Sequence, residues 1–325
     1  MSRTDSNQVS RRTMLRGAAA AGLAATTFAA GTTARAADKQ QPAQGVTNGN
    51  INQSIVNWCF ANHWNTEEIC KIANKLGCKS IELIGPEHWD TLKKHNLTCA
   101  LAGSHLFVQG MNSPRYQEGC IDKMKESIDH CAAAGFPTVI TFTGFNYETG
   151  DFADGGIPDL AKFDPAKQKQ IDPQEGMDNC VEGFKKVVGY AEKKKVNLSL
   201  EMLNSRVGVE MKGHPGYQGD HTDYCMEIIR RVGSPRFGLL FDIYHVQIMD
   251  GDIITRIKEC GEAINHVHTA GNPGRCELDN NQEINYEPCM KALVEIGYQG
   301  YVGQEFIPTR DPLAGLREAV ERCDV

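Results

Sequence analysis

From residue 51 onward, short apolar runs alternate with amphipathic stretches. The runs fall at 54–60, 80–85, 97–104, 138–144, 197–203, 237–245, 264–270 and 300–308. Continuous apolar runs of this length, rich in β-branched and aromatic residues, read as strands buried on both faces. Between them, apolar residues recur three and four apart, as at Ile121, Met124, Ile128 and Cys131, or Val181, Phe184, Val188 and Ala191, the spacing of one helix face. Glycines in "KLGCKS", "AAAGFP" and "VEIGYQG" stand where a helix would stop before the next strand. Eight strand-then-helix units with no break in composition predict an α/β chain folded as a single (β/α)8 TIM barrel over residues 51–325. A doubly wound open sheet is the alternative, but no Gly-rich phosphate loop follows the first strand.

Several of these apolar runs are interrupted by residues that do not belong in a core. In "FGLLFDIYHVQ" Asp242 closes a buried run, where an ionised carboxylate costs several kcal/mol unless a cation or donor compensates. Side chains at the C-terminal ends of barrel strands face the mouth, where active sites form. Four successive runs bring a metal-ligand type there: Glu201 in "LSLEML", Asp242, His268 in "NHVHTA" and Glu305 in "VGQEFIP". Taken singly, each has an ordinary reading as a salt-bridged rim glutamate or a satisfied core histidine. Together they form a mostly hard donor set suited to one divalent ion, Mn²⁺, Mg²⁺ or Co²⁺, with Zn²⁺ also accommodated. Glu82, in "SIELIG", interrupts a strand in the same way but falls outside the set, and reads as a supporting carboxylate. His105 in "GSHLF" and His214 in "KGHPGY" stand where loops enter the mouth; substrate contact and a local hydrogen bond are the two readings of each. Trp58 and Phe107 are candidates for an apolar wall, or for simple packing. The connections at 145–174 and after 203, rich in Gly, Asp and Pro, are long enough to form walls over that face.

Net charge is −7 and no long basic block follows the first residues, so neither nucleic acid nor an anionic membrane is the expected partner. A small hydroxy-carbonyl or sugar substrate fits better, and the sequence leaves homo-oligomerisation open. The N-terminus carries Arg11 and Arg12, a weakly apolar Ala-rich stretch and Ala34-Arg35-Ala36. This pattern predicts a twin-arginine export signal over residues 1–36, with no membrane span after its removal, and a flexible leader over 37–50. The expected location is periplasmic or extracytoplasmic. The twelve cysteines form no CxxC pair and are expected to be mostly small buried apolar residues.

The motifs "LEMLN", "FDIYHVQ", "INHVHTAGNPGR", "QEINY" and "VGQEF" resemble, in order and spacing, the hydroxypyruvate isomerase branch of the xylose-isomerase-like sugar isomerases and epimerases. The resemblance covers most of residues 51–310 and is strongest after 197. It implies a single-metal TIM barrel with Glu201, Asp242, His268 and Glu305 as ligands, and Glu201 and Glu305 as the catalytic proton-transfer pair. It also implies substrate binding by His245 and Arg275. The histidine at 268 is similar to that of the ketose 3-epimerases. The expected reaction moves a proton beside a carbonyl through an enediolate, with hydroxypyruvate to tartronate semialdehyde as the leading substrate pair. Ketose 3-epimerisation and inosose-type dehydration would use the same residues. A metal-dependent DNA-repair endonuclease would need more ligands and a basic groove, and a non-catalytic exported sugar-binding protein would have no use for both glutamates.

Overall fold

The computed structural model describes residues 45–154 and 156–325; the predicted export signal and most of the leader lie outside them. Among the described residues, seven parallel strands form one sheet: β1 (Asn52–Val56), β2 (Ser80–Glu82), β3 (Thr138–Thr141), β4 (Asn197–Glu201), β5 (Phe237–Asp242), β6 (Ile264–Thr269) and β7 (Tyr301–Gln304). Their order in the sheet is β2-β1-β7-β6-β5-β4-β3. The predicted third strand, 97–104, is reduced to isolated bridges, yet it joins the two ends of the sheet. On one side Ile81 N–H donates to the Thr98 carbonyl (3.1 Å) and Leu83 N–H to that of Leu101 (2.9 Å). On the other, Ala102 N–H donates to Thr138 and Ile140 N–H to Ala102, both at 2.9 Å. The segment is irregular because Ala100 spends its N–H on the Ser80 hydroxyl (2.9 Å) rather than on a ladder. The ring therefore closes as a TIM barrel through seven regular strands and one broken one.

Ten α-helices of the described residues accompany the strands: α1 (Asn57–Phe60), α2 (Thr66–Leu76), α3 (Trp89–Lys94), α4 (Pro114–Ala134), α5 (Pro173–Lys194), α6 (Thr222–Val232), α7 (Ile243–Met249), α8 (Ile253–Cys260), α9 (Tyr286–Glu295) and α10 (Pro312–Arg322). The three predicted glycine stops, Gly77, Gly135 and Gly297, have φ of +79°, +78° and +76°, the left-handed conformation that ends a helix without a Cβ penalty. Two expected strands end sooner than their apolar runs suggest. β1 gives way to α1 at Asn57. β5 stops at Asp242, whose Oδ1 accepts from the N–H groups of Tyr244 (2.8 Å) and His245 (3.3 Å) and so starts α7. His245 thus sits in the first turn of a helix rather than in a strand.

The core lies between the sheet and the helix ring, and contains Phe184 of α5 against Phe237 of β5, ring centroids 4.5 Å apart. All twelve cysteines are free and all but the half-buried Cys276 are buried. Residues 47–50, within the expected leader, hydrogen-bond to the last two residues of the chain. The Asp324 carboxylate accepts from the N–H groups of Thr47 (2.6 Å), Asn48 (2.7 Å) and Gly49 (2.9 Å). Among the described residues, no helix is long and apolar enough to cross a membrane.

Candidate active site

The four predicted ligand residues meet at the C-terminal end of the barrel. Glu201 ends β4, Asp242 ends β5, His268 lies near the end of β6 and Glu305 follows β7. Register explains the meeting, since Asp242 pairs with His268 and His268 with Gly303 on neighbouring strands. Each residue offers one ligand atom, and these atoms all lie within 4.8 Å of one another. All four side chains are buried.

Glu82 sets the orientation of His268. Its Oε1 accepts from His268 Nε2 (2.7 Å) and His266 Nε2 (2.8 Å). His268 Nδ1 faces the cluster, 3.0 Å from Glu305 Oε2 and 3.3 Å from Glu201 Oε1, and these carboxylates raise the imidazole's pKa against burial. With its proton on Nε2 alone, the ring would offer Nδ1 as a ligand atom. Gly303 makes room for this: a Cβ there would lie 2.5 Å from Glu82 Oε1 and 2.9 Å from His268 Cδ2. Although burial opposes its charge, the two imidazoles pull the Glu82 carboxyl down to about 2.

Arg275 supplies the cluster's cation. Its Nη2 donates to Glu305 Oε2 and lies 3.8 Å from Asp242 Oδ2, while Nη1 donates to the Met211 carbonyl (2.7 Å). The guanidinium also faces the Trp58 ring at 5.2 Å and the Tyr244 ring at 5.7 Å. Trp58 belongs to the polar machinery as well as to a wall, because its Nε1 donates to Glu305 Oε1 (3.0 Å). Burial would raise the Glu305 carboxyl, but Arg275 and His268 hold it well below the ordinary range. Burial raises Glu201, and burial with the charge of Glu305 pushes Asp242 up to about 7. Three carboxylates this close cannot all ionise without further positive charge. Glu201 Oε1 and His268 Nδ1 are buried without a hydrogen-bond partner, a condition that costs about 1–3 kcal/mol per group unless a ligand compensates. An oxygen-rich set with one imidazole, short of positive charge and holding orphaned acceptors, fits a divalent cation.

The other predicted residues take distinct places. His245 lies behind Asp242, with Nε2 at 3.5 Å from Asp242 Oδ2. Its Nδ1 accepts from the Asn204 N–H (2.9 Å), so the proton of the neutral ring is on Nε2, which has no partner. Burial and then Arg275 keep this ring uncharged. Asn204 escaped the sequence reading, although it stands three residues after Glu201 in "LEMLN". His105 lines the cavity above the cluster, but both ring nitrogens are engaged: Nδ1 with the Leu106 carbonyl (3.1 Å) and Nε2 with the Thr141 hydroxyl (2.8 Å). Burial lowers it to about 4, so it too is neutral. His214 packs on Phe107 with centroids 4.3 Å apart. The cavity holds about 190 Å³ and is walled by Trp58, Phe107, Phe142, Leu203 and Met211, with Glu201, Glu305 and Arg275 at its base. Tyr217, from the loop after β4, braces that base by donating to the Glu201 carbonyl (2.7 Å) and accepting from Thr143 N–H (3.0 Å).

A parallel barrel with three carboxylates and an oriented imidazole under its mouth defines a TIM barrel with a candidate metal centre at that point. The chain belongs to the xylose isomerase-like TIM barrel family, whose model matches residues 70–324. It is similar to the putative hydroxypyruvate isomerase of Homo sapiens, 36% identical over 117 residues that make up 36% of this chain and 40% of that protein. The hydroxypyruvate isomerase of Escherichia coli K12 is 34% identical over 103 residues, 32% of this chain and 40% of that protein. The matches thus span less than half the length of these relatives. Among solved structures, AP endonuclease of family 2 from Brucella melitensis superposes with a TM-score of 0.66 at 24% identity, covering 82% of this chain and 97% of that one. At that identity the likeness speaks for the fold alone.

Proposed function

We propose that this chain is a divalent-metal-dependent isomerase that moves a proton between carbons beside a carbonyl, with hydroxypyruvate and tartronate semialdehyde as the leading substrate pair. The observation that carries the reading is the convergence of Glu201, Asp242, His268 and Glu305 on one buried point; two of these residues, Glu201 and Glu305, line the cavity. Likeness to hydroxypyruvate isomerases supports the same class of reaction. When bound, a divalent cation supplies Lewis-acid stabilisation of the negative charge that develops on oxygen as the proton leaves carbon. The side chains do the rest. Glu201 has an oxygen free of any hydrogen bond and can take or return a proton. Glu305, anchored by Trp58 and Arg275, is its counterpart across the cavity base. His245, neutral and buried behind Asp242 with Nε2 3.5 Å from its Oδ2, positions that carboxylate. Phe107, Phe142 and Leu203 limit water around the reacting carbons.

A second reading, ketose epimerisation on the same residues, is favoured by the state of Arg275. Each of its two terminal nitrogens already holds a partner, Glu305 or the Met211 carbonyl, while Nε–H has none, so the fork is only partly free to grip a substrate carboxylate. The twin-arginine pattern supports export of the folded enzyme as part of the proposal. The test is proton NMR in D₂O with the Mn²⁺- or Mg²⁺-loaded protein, using hydroxypyruvate and, separately, a panel of ketoses. Metal-dependent conversion of hydroxypyruvate supports the first reading, and deuterium uptake or epimerisation with ketoses alone supports the second. Absence of exchange with every compound refutes both.

A further inference from the structure

A cavity of about 420 Å³ lies beside the reaction cavity and outside the barrel ring. It exists because α3 is a six-residue helix next to the 21-residue α4, and because the strand between them in sequence is irregular. The two cavities share Leu83 and the segment 103–106. Gly103 is exposed on this shared wall, and a Cβ built there would meet nothing within 4 Å. A ligand reaching over Gly103 would therefore occupy both spaces.

We propose that this cleft is a second carbohydrate subsite, and that the substrate is an uncharged keto-sugar carrying a further sugar unit, its reacting end over the Glu201–Glu305 pair. The inference rests on the enediolate reading of the reaction above, and extends its second form. Three features define the ligand class. The cleft pairs aromatic surface, Trp89 and Phe152, with hydrogen-bonding groups on one face of α4, where Lys123, Ser127 and His130 stand four and three residues apart. A sugar ring presents the matching combination of apolar faces and hydroxyl edges. Among the described residues, the cleft also offers no unpaired lysine or arginine for an anionic group, since Lys123 Nζ is held by Asp154 (2.8 Å) and Glu126 (3.1 Å). Finally, the reaction cavity alone, about 190 Å³, is smaller than the roughly 300–1,000 Å³ usual for small-molecule sites, and joined to the cleft it falls within that range.

Ser127→Phe tests the assignment, because it fills the cleft from α4 and does not line the reaction cavity. Deuterium exchange by the metal-loaded wild type and variant would be compared on hydroxypyruvate, D-fructose and isomaltulose, a fructose unit bearing a glucose. Binding of isomaltulose would be followed separately by ligand-observed NMR. The expected result is wild-type kcat/KM at least about tenfold higher for isomaltulose than for D-fructose. The variant should lose about that factor on isomaltulose while changing the short substrates by less than about threefold. Equal wild-type rates with and without the added glucose, or equal losses on all substrates in the variant, overturn the subsite. Absence of all exchange refutes the reaction instead. In that event isomaltulose binding that Ser127→Phe abolishes still supports the cleft, and binding that is absent or unchanged in the variant overturns it.

Discussion

Replacing Glu82 by glutamine exchanges one oxygen for an amide nitrogen in the barrel interior and removes the charge that orients His268. Glu82 is fully buried, and its Oε1 alone receives both imidazole N–H groups, at 2.7 and 2.8 Å. Hydrogen bonds to an ionised acceptor are roughly twice as strong as neutral ones, so the variant retains the contacts but weakens their hold on the Nε2–H tautomer. Loss of such an outer partner of a metal-binding histidine typically lowers metal affinity by about 10–100-fold, or about 1.4–2.7 kcal/mol. The assay is calorimetric titration of chelator-stripped protein with Mn²⁺, beside a thermal melt to establish that the variant is folded. Gly303→Ala is the companion perturbation: its methyl would fall 2.5 Å from Glu82 Oε1 and push the carboxylate away without altering any charge. Folded Glu82→Gln protein that binds Mn²⁺ within about twofold of wild type would refute the reasoning, because a site built around that carboxylate would then have lost its orienting charge at no cost to metal affinity.

The same carboxylate gives a pH prediction. Its folded value of about 2 lies below the ordinary unfolded value of about 4.3, so its contribution is complete above the latter and fades as pH falls towards the former. The stability gap between wild type and Glu82→Gln should therefore narrow on acidification below about pH 4.3 in denaturant melts, and a gap that widens would contradict the assignment. Asp242→Asn should release the metal yet keep the barrel, since asparagine can still accept from the N–H groups of Tyr244 and His245 at the start of α7; elemental analysis and circular dichroism read the two effects separately. Glu305→Gln should reduce kcat far more than it raises KM, and near-normal kcat would remove Glu305 from proton transfer. Asp324→Ala should cost about 1 kcal/mol, discounted for partial exposure, by releasing residues 47–49 from the C-terminus, seen as a lowered melting temperature with unchanged metal binding.

What could be read in advance follows from how local each signal is. A strand buried on both faces must be apolar throughout, so β4, β5 and β6 announce themselves, and a Glu, Asp or His within such a run stands out because burial without compensation is costly. Glu201, Asp242 and His268 were visible for that reason. The ends of the strands were less so, because Asp242 carries two duties at once: facing the cluster and capping α7. An apolar stretch continuing through Ile243 and Val246 conceals the change from strand to helix.

Contacts between distant parts of the chain leave no such trace. Glu82 and His268 are 186 residues apart, and the tautomer that turns Nδ1 towards the cluster depends on that pairing. Sequence periodicity places each residue at the end of its own strand but carries no record of which oxygen meets which nitrogen. The same is true of Arg275, whose φ of +53° lies on an irregular loop; the resemblance implied substrate binding, and only the packed loops bring the Met211 carbonyl and Glu305 to its two terminal nitrogens. The cleft beside Gly103 arises from a mismatch between two helices, α3 and α4, each of which is ordinary in its own pattern. Reaction class is therefore written in residue types that interrupt the strands, whereas substrate size and charge depend on loop packing and relative helix lengths. That division is why the candidate metal centre is more legible in the sequence than the compound it would act on.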